Sequence, residues 1–201
     1  SMTRYTGAEG EEKAALTLNY SSLNATVRTS TVFNYSSDDV LTSSVTYKGE
    51  VTLDANGAAV IASTNIRKSF SWYIGDEGEE KVRTTLNYRT DGTTANTVTH
   101  FIYSINDALT FANTYKATLN AQGGIVLGLR TSFSRYSGWE GDEKIQNTTA
   151  FKTTGVKSYT LYTYDSDVLT KSETWKNTDK VKLKSMTRYT GAEGEEKAAL
   201  T

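Results

Sequence analysis

Neither cysteine nor proline occurs in this sequence, and histidine occurs once, as His100. Without cysteine there is no disulfide framework and no thiolate zinc site. With a single histidine, a catalytic dyad or an imidazole metal site has little to build on. His100 is expected on the polar face of a strand. The missing proline leaves nothing to interrupt a strand ladder in a chain rich in Thr, Ser, Tyr and Val. No apolar run reaches the roughly 18 residues of a membrane-spanning helix. The net charge of −1 creates no global field toward nucleic acid, which is not an expected partner. Phosphate loops, dinucleotide fingerprints and serine elbows are absent too. No secretory leader stands at Ser1. The sequence opens inside a repeat, so a longer parent chain is expected.

What is present is repetition. Residues 185–201 repeat residues 1–17 letter for letter. Within that long period an acidic glycine turn recurs four times. It reads Gly7-Ala-Glu-Gly-Glu-Glu-Lys13, Gly75-Asp-Glu-Gly-Glu-Glu-Lys81, Gly138-Trp-Glu-Gly-Asp-Glu-Lys144 and Gly191-Ala-Glu-Gly-Glu-Glu-Lys197. A tyrosine stands two residues before each copy: Tyr5, Tyr73, Tyr136 and Tyr189. The marker lysines lie 68, 63 and 53 residues apart, so strand lengths are expected to change while the topology holds. A second marker lies mid-unit, at residues 33–48, 101–116 and 162–176. It places aromatic-x-aromatic before an Asp/Asn/Ser turn, then Leu-Thr, then a strand ending in aromatic-Lys. Self-similarity of this kind predicts units that pack on their neighbours. The expected organisation is one elongated repeat body over 1–201. Its units run over about 5–72, 73–135 and 136–188, and 185–201 starts the next.

Period two dominates between the turns. Leu41, Ser43, Val45, Tyr47, Gly49, Val51 and Leu53 alternate with polar residues, as do Ala14, Leu16, Leu18 and Tyr20. Such alternation predicts strands with one buried face. Gly-containing and Asx-type turns separate them. The predicted strands are 2–7, 12–20, 25–35, 41–54, 58–74, 80–89, 93–104, 109–121, 124–138, 143–152, 156–165, 169–177, 180–190 and 196–201. The fold class is all-β: an antiparallel meander of about 12–14 strands in three four-stranded repeats. A coiled or spiralling sheet is the leading arrangement, with a two-layer sandwich or a closed barrel as alternatives.

Residues 162–174, Tyr-Thr-Tyr-Asp-Ser-Asp-Val-Leu-Thr-Lys-Ser-Glu-Thr, resemble the tyrosine–aspartate (YD) repeats of bacterial rearrangement-hotspot proteins and teneurins. Residues 33–47 and 101–115 match more loosely. The turn glycine of the family pattern is absent in all three, and only Asp165 keeps its aspartate. The resemblance implies paired strands in a spiralling sheet on a secreted or surface protein, without catalytic residues in the repeats.

The expected function is therefore a non-catalytic structural or adhesive segment of a large extracellular or cell-surface protein of bacterial type. Neighbouring repeats are its partners, and the duplicated ends suggest end-to-end self-association. No catalytic residue and no cofactor is expected. The carboxylate pairs recur at unit boundaries, which copying explains without acid–base chemistry. A calcium- or glycan-binding module is the second reading. Its calcium candidates are Glu9, Glu11 and Glu12, although their spacing matches no known calcium loop. Trp139 replaces the Ala8 and Asp76 of sister turns and is the candidate contact for a glycan or protein ligand. An outer-membrane barrel is the third. A basic stripe of Lys176, Lys180, Lys182, Lys184 and Arg188 beside Trp175 suits an anionic sugar or phosphate. Edge protection is its simpler explanation.

Overall fold

In the computed structural model the described residues are 1–21 and 26–201. Among them are sixteen strands and no helix. The first repeat holds β1 (Met2–Thr6), β2 (Lys13–Tyr20), β3 (Val27–Tyr35), β4 (Leu41–Lys48), β5 (Thr52–Leu53) and β6 (Ala59–Val60). The second holds β7 (Ile66–Ile74), β8 (Lys81–Tyr88), β9 (Ala95–Tyr103) and β10 (Leu109–Leu119). The third holds β11 (Ile125–Ser137), β12 (Lys144–Lys152), β13 (Gly155–Asp165) and β14 (Val168–Trp175), after which β15 (Leu183–Thr190) and β16 (Lys197–Leu200) follow. Residue 25, predicted to open the third strand, lies outside the described residues.

Fourteen strands form one sheet in the order β1-β2-β3-β4-β7-β8-β9-β10-β11-β12-β13-β14-β15-β16. This is the expected antiparallel meander. The sheet is not closed, which overturns the barrel alternative. Strands β5 and β6 form a separate two-stranded ribbon. Identical sequence gives identical pairing at the duplicated hairpins. Arg4 faces Leu16 and Tyr5 faces Ala14, just as Arg188 faces Leu200 and Tyr189 faces Ala198. The register shifts immediately before Tyr5, Tyr73, Tyr136 and Tyr189, so each marker tyrosine follows a bulge. A bulge bends its strand and re-aims the next side chain.

The predicted strand 41–54 does not run through. It stops at Lys48, and Gly49 turns the chain at a φ of 86°. Ser30 holds the bend. Its Oγ donates to the Gly49 carbonyl at 2.7 Å and accepts the Val51 amide at 2.9 Å. Ser30 is fully buried, and the bond to Val51 forms away from water while that to Gly49 is partly covered. Alternation alone could not reveal this, because Val51 and Leu53 keep the right period while leaving the sheet. The predicted strand 58–74 is likewise divided, into β6 and β7. The predicted strand 180–190 starts only at Leu183.

The chain packs into two compact units, Ser1–Val98 with Ala117–Val126, and Thr99–Lys116 with Leu127–Thr201. In the first unit, Leu16, Val32, Val45, Phe70 and Leu86 face one another in turn across five strands. Every member of that row is apolar. Val51 joins Leu16, Leu18, Val32, Val45 and Tyr47 in one buried cluster, with Leu53 and Ala59 packed against it. The β5–β6 ribbon therefore covers the row. Each buried Leu or Val contributes about 1.5–3 kcal/mol.

The second unit follows the same register with different residues. Its corresponding row is Asn147, Leu161, Glu173 and Met186. The buried hydrophobic residues there are only Ala108 and Ala112. Phe111 and Phe133 stack with centroids 5.4 Å apart, and the Arg130 guanidinium lies 4.5 Å from the Phe151 centroid. Aromatic and cation–π contacts replace aliphatic burial.

The opposite face is not simply wet. It carries a hydroxyl pair in each main hairpin. Thr3–Thr17, Thr31–Thr46, Ser71–Thr85, Thr99–Thr114, Ser134–Thr148, Thr160–Thr174 and Thr187–Thr201 lie 2.8–3.1 Å apart. Cross-strand hydroxyl pairs are worth about 0.2–1 kcal/mol each.

Replacing Ser30 by Ala leaves the Gly49 carbonyl and Val51 amide without their buried partner, at a cost of about 1–3 kcal/mol. Hydrogen exchange at Val51 and Leu53 is expected to accelerate far more than at Leu86. Equal protection at all three would refute a separately docked ribbon.

Candidate functional site

The acidic turns are built alike. The amides of Glu11, Glu79, Asp142 and Glu195 each donate to the carbonyl three residues earlier, at 3.0 Å. Gly10, Gly78, Gly141 and Gly194 take φ values between 76° and 87°, as the third position of a type II turn requires. Gly7, Gly75, Gly138 and Gly191 serve a different need. A Cβ on any of them would lie 2.5–2.7 Å from the backbone oxygen four residues on.

The last glutamate of the turn reaches into the preceding hairpin. Glu80 accepts the Leu41 amide at 2.8 Å, Glu143 that of Leu109 at 2.7 Å, and Glu196 that of Leu169 at 3.0 Å. Leu41 and Leu109 open β4 and β10, and Leu169 is the second residue of β14. The bond from Leu41 holds the Glu80 carboxyl below the ordinary glutamate range, and the bond from Leu169 does the same for Glu196.

The marker lysine completes the junction. Lys13 Nζ lies 3.2 Å from Asp39 and 2.9 Å from Glu77, and Lys144 Nζ lies 2.7 Å from Asp167 and 2.8 Å from Glu193. The lysine thus offsets not its own turn but the turn of the next repeat. For Lys144 the bonds to Asp167 and Glu193 raise the pKa. For Lys13 desolvation works against the charge, and the bonds to Glu77 and Asp39 outweigh it. Tyr35 donates to the Ala14 carbonyl and Tyr164 to that of Ile145, both at 3.0 Å. Burial pushes both phenols up, which keeps the donors protonated. Tyr73 and Tyr189 pair with Ser44 and Ser172 at 3.0 and 3.1 Å.

Asp39, Asp107 and Asp167 have φ values of 63°, 59° and 72°. They occupy left-handed positions in the mid-unit turns. Aspartate tolerates that conformation better than most residues. At Asp39 and Asp167 the same side chain also binds the junction lysine. A glycine would turn the chain equally well and bind nothing.

Of the calcium candidates, Glu9 and Glu11 are exposed, and Glu12 accepts the Gly10 amide at 3.0 Å. Among the described residues no three His, Cys, Asp or Glu side chains converge to hold a metal ion. Trp139 opens its turn and is 77% exposed. His100 is half-buried, with its ring centroid 6.1 Å from that of Tyr115. Both flank the Thr99–Thr114 pair, so His100 lies on the face of the apolar row rather than the polar face expected. The basic stripe divides. Lys180 sits over the Tyr159 ring at 5.8 Å, Lys184 donates to the Lys157 carbonyl at 3.1 Å, and Arg188 faces Lys171. β16 pairs only with Arg188–Thr190 of β15, so the stretch that carries Lys184 is bonded to β14 alone and forms a sheet edge, as edge protection expects. Sequence reading missed the Lys–Asp–Glu junctions, although the recurrence of both markers in each unit carried the signal.

No family model matches this chain, and no curated protein matches it. Several solved structures are distantly similar. A porin-like protein from Bacteroides uniformis ATCC 8492 shares 11% identity over 91% of this chain and 92% of that one, with a TM-score of 0.27. TcdB2-TccC3 without its hypervariable C-terminal region shares 12% identity over 96% of this chain, with a TM-score of 0.26. The Photorhabdus luminescens Tc holotoxin pore shares 11% identity over 90% of this chain, with a TM-score of 0.18. The chain spans 14% and 12% of those two toxin chains. Likeness at this level assigns neither family nor function.

The carboxylates make the junctions sensitive to acid. Glu80 has a lowered pKa in the folded state. Its contribution is fully present above the ordinary value of 4.5 and is lost as pH falls through the lowered value. The stability difference between the native chain and Glu80→Gln is expected to shrink from pH 7 to pH 3 in urea titrations. A constant difference would show that ionisation plays no part. Gly138→Ala is expected to cost about 2 kcal/mol or more, and Gly141→Ala, whose Cβ meets open space, only about 1. Equal losses in the same titration would contradict the steric account.

Proposed function

We propose that this chain is a non-catalytic structural repeat segment of a large extracellular or cell-surface protein, serving as a scaffold or adhesive stalk. The observation that carries the reading is the junction in which Lys13 joins Asp39 of its own repeat to Glu77 of the next. Lys144, Asp167 and Glu193 repeat it. The charged groups that recur most often are spent on joining repeats, which supports a role in building sheet rather than in chemistry. The YD-like stretch at 162–174 supports the same reading, because Tyr164 and Asp167 both take part in a junction.

The duplicated hairpin extends the proposal to self-association. β15–β16 adopts the pairing of β1–β2, and so offers the surface that the start of a repeat offers. Sedimentation of the full chain is expected to show concentration-dependent association that weakens when residues 185–201 are removed. Identical monomeric behaviour of both would argue against it. For the location, an antibody raised against the Trp139 turn is expected to label intact cells that produce the protein. Labelling only after lysis would overturn the surface assignment.

A further inference from the structure

An antiparallel meander brings alternate connections to opposite ends of its strands. Here the two ends differ in charge. The connections at residues 7–12, 36–40, 75–80, 104–108, 138–143, 165–167 and 191–196 hold every Asp and Glu except Glu50, Asp54, Asp91, Glu173 and Asp179. The other connections lie among lysines and arginines. They also carry most of the differences in repeat length. Between β4 and β7 stands the covering ribbon, β10 and β11 are lengthened strands of 11 and 13 residues, and β14 and β15 are joined by a short link.

At this variable end the second unit contains an open groove of about 570 Å³. Lys116, Lys152, Lys157, Lys176 and Lys184 line it, and no acidic residue does. Threonines 131 and 153 and Asn177 add neutral hydrogen-bonding groups, and Phe151 adds a ring. A smaller groove of about 250 Å³ occurs at the matching place in the first unit, lined by Lys48, Lys68, Tyr88, Arg89 and Thr90. Counted from the markers, Lys48 corresponds to Lys116, Tyr88 to Phe151, Arg89 to Lys152 and Thr90 to Thr153. An arginine lies over the aromatic in each, Arg67 over Tyr88 and Arg130 over Phe151.

We propose that the larger groove binds an anionic polysaccharide, with sulfate or carboxylate groups on the five lysines and sugar hydroxyls on Thr131, Thr153 and Asn177. Five ammonium groups lining one groove repel each other, and a polyanion relieves that repulsion. Arg130 covers one face of Phe151, which removes a platform on which a nucleic-acid base would stack. A concave site suits a single extended chain better than the flat surface of a bilayer. The inference goes beyond the scaffold reading, because a sheet of stacked repeats needs no such groove.

The test is calorimetric titration of the full chain with a defined sulfated oligosaccharide and, separately, with an oligogalacturonate. These two arms distinguish sulfate from carboxylate. Binding of at least one is expected, weakening as salt is raised. The pair Lys152→Ala with Lys176→Ala removes two exposed charges and is expected to weaken binding at least tenfold while leaving the urea midpoint unchanged. The pair Arg4→Ala with Arg83→Ala removes the same charge outside the groove and is expected to change affinity less than twofold. Absence of binding by both oligosaccharides overturns the proposal, as does equal weakening by the two variant pairs. Single-stranded DNA or phosphatidylserine vesicles bound as tightly, and lost equally in the groove variant, overturn the assignment to a polysaccharide. Should the lysine pair lower the urea midpoint, Lys152→Gln with Lys176→Gln replaces it under the same criteria.

Discussion

A backbone amide near the start of a strand has no ladder partner on its outer side until something is brought to it. Here a carboxylate from the next acidic turn does so, at Leu41, Leu109 and Leu169. A charge-assisted bond of this type is stronger than a neutral one. It also fixes position, since the turn must close with its two glycines for the glutamate to arrive. The lysine, aspartate and tyrosine contacts gather around that anchor. Each is individually modest for exposed groups. Together they form a junction that repeats with the same partners while the sequence between junctions drifts in length.

Much of this was legible before any coordinates. The alternation of apolar and polar residues, the glycine turns and the two markers specify an antiparallel meander of four strands per repeat. The markers also point to the residues of the junctions, though not to their partners. Lys13 looks like a counter-charge for Glu11 and Glu12, its neighbours in sequence, yet its partners are Asp39 and Glu77. Long-range partners of charged residues are decided by strand register, which periodicity does not encode. The ribbon at β5–β6 was illegible for a related reason. Val51 and Leu53 are apolar at the proper spacing, and only the buried hydroxyl of Ser30 and the positive φ of Gly49 take them off the sheet. Trp139 was singled out by its chemistry and is largely exposed, whereas the lysine grooves required the ends of several strands to be seen together.

The two ends of the strands are under different constraints. At the acidic end all four acidic turns have the same length, and the turn that supplies the junction aspartate, one residue shorter at Asp167 than at Asp39, still reaches its lysine. At the other end the connection is free to become a ribbon, a long hairpin or a short link. Variation on a constant frame is the usual way in which a fold acquires contacts beyond its own stability. The left-handed aspartates illustrate the reverse case, where a strained backbone position is kept because its side chain is needed.

The row of facing residues changes character along the chain, from Leu16, Val32, Val45, Phe70 and Leu86 to Asn147, Leu161, Glu173 and Met186. Exposure of apolar surface raises the heat capacity of unfolding, and exposure of polar surface lowers it. The first unit therefore has a sharply curved dependence of stability on temperature and weakens on cooling as well as heating. The second, held by polar and aromatic contacts, has a flatter dependence. Two stretches of one continuous sheet, built on the same template, thus differ in their thermal response because of what their shared positions contain.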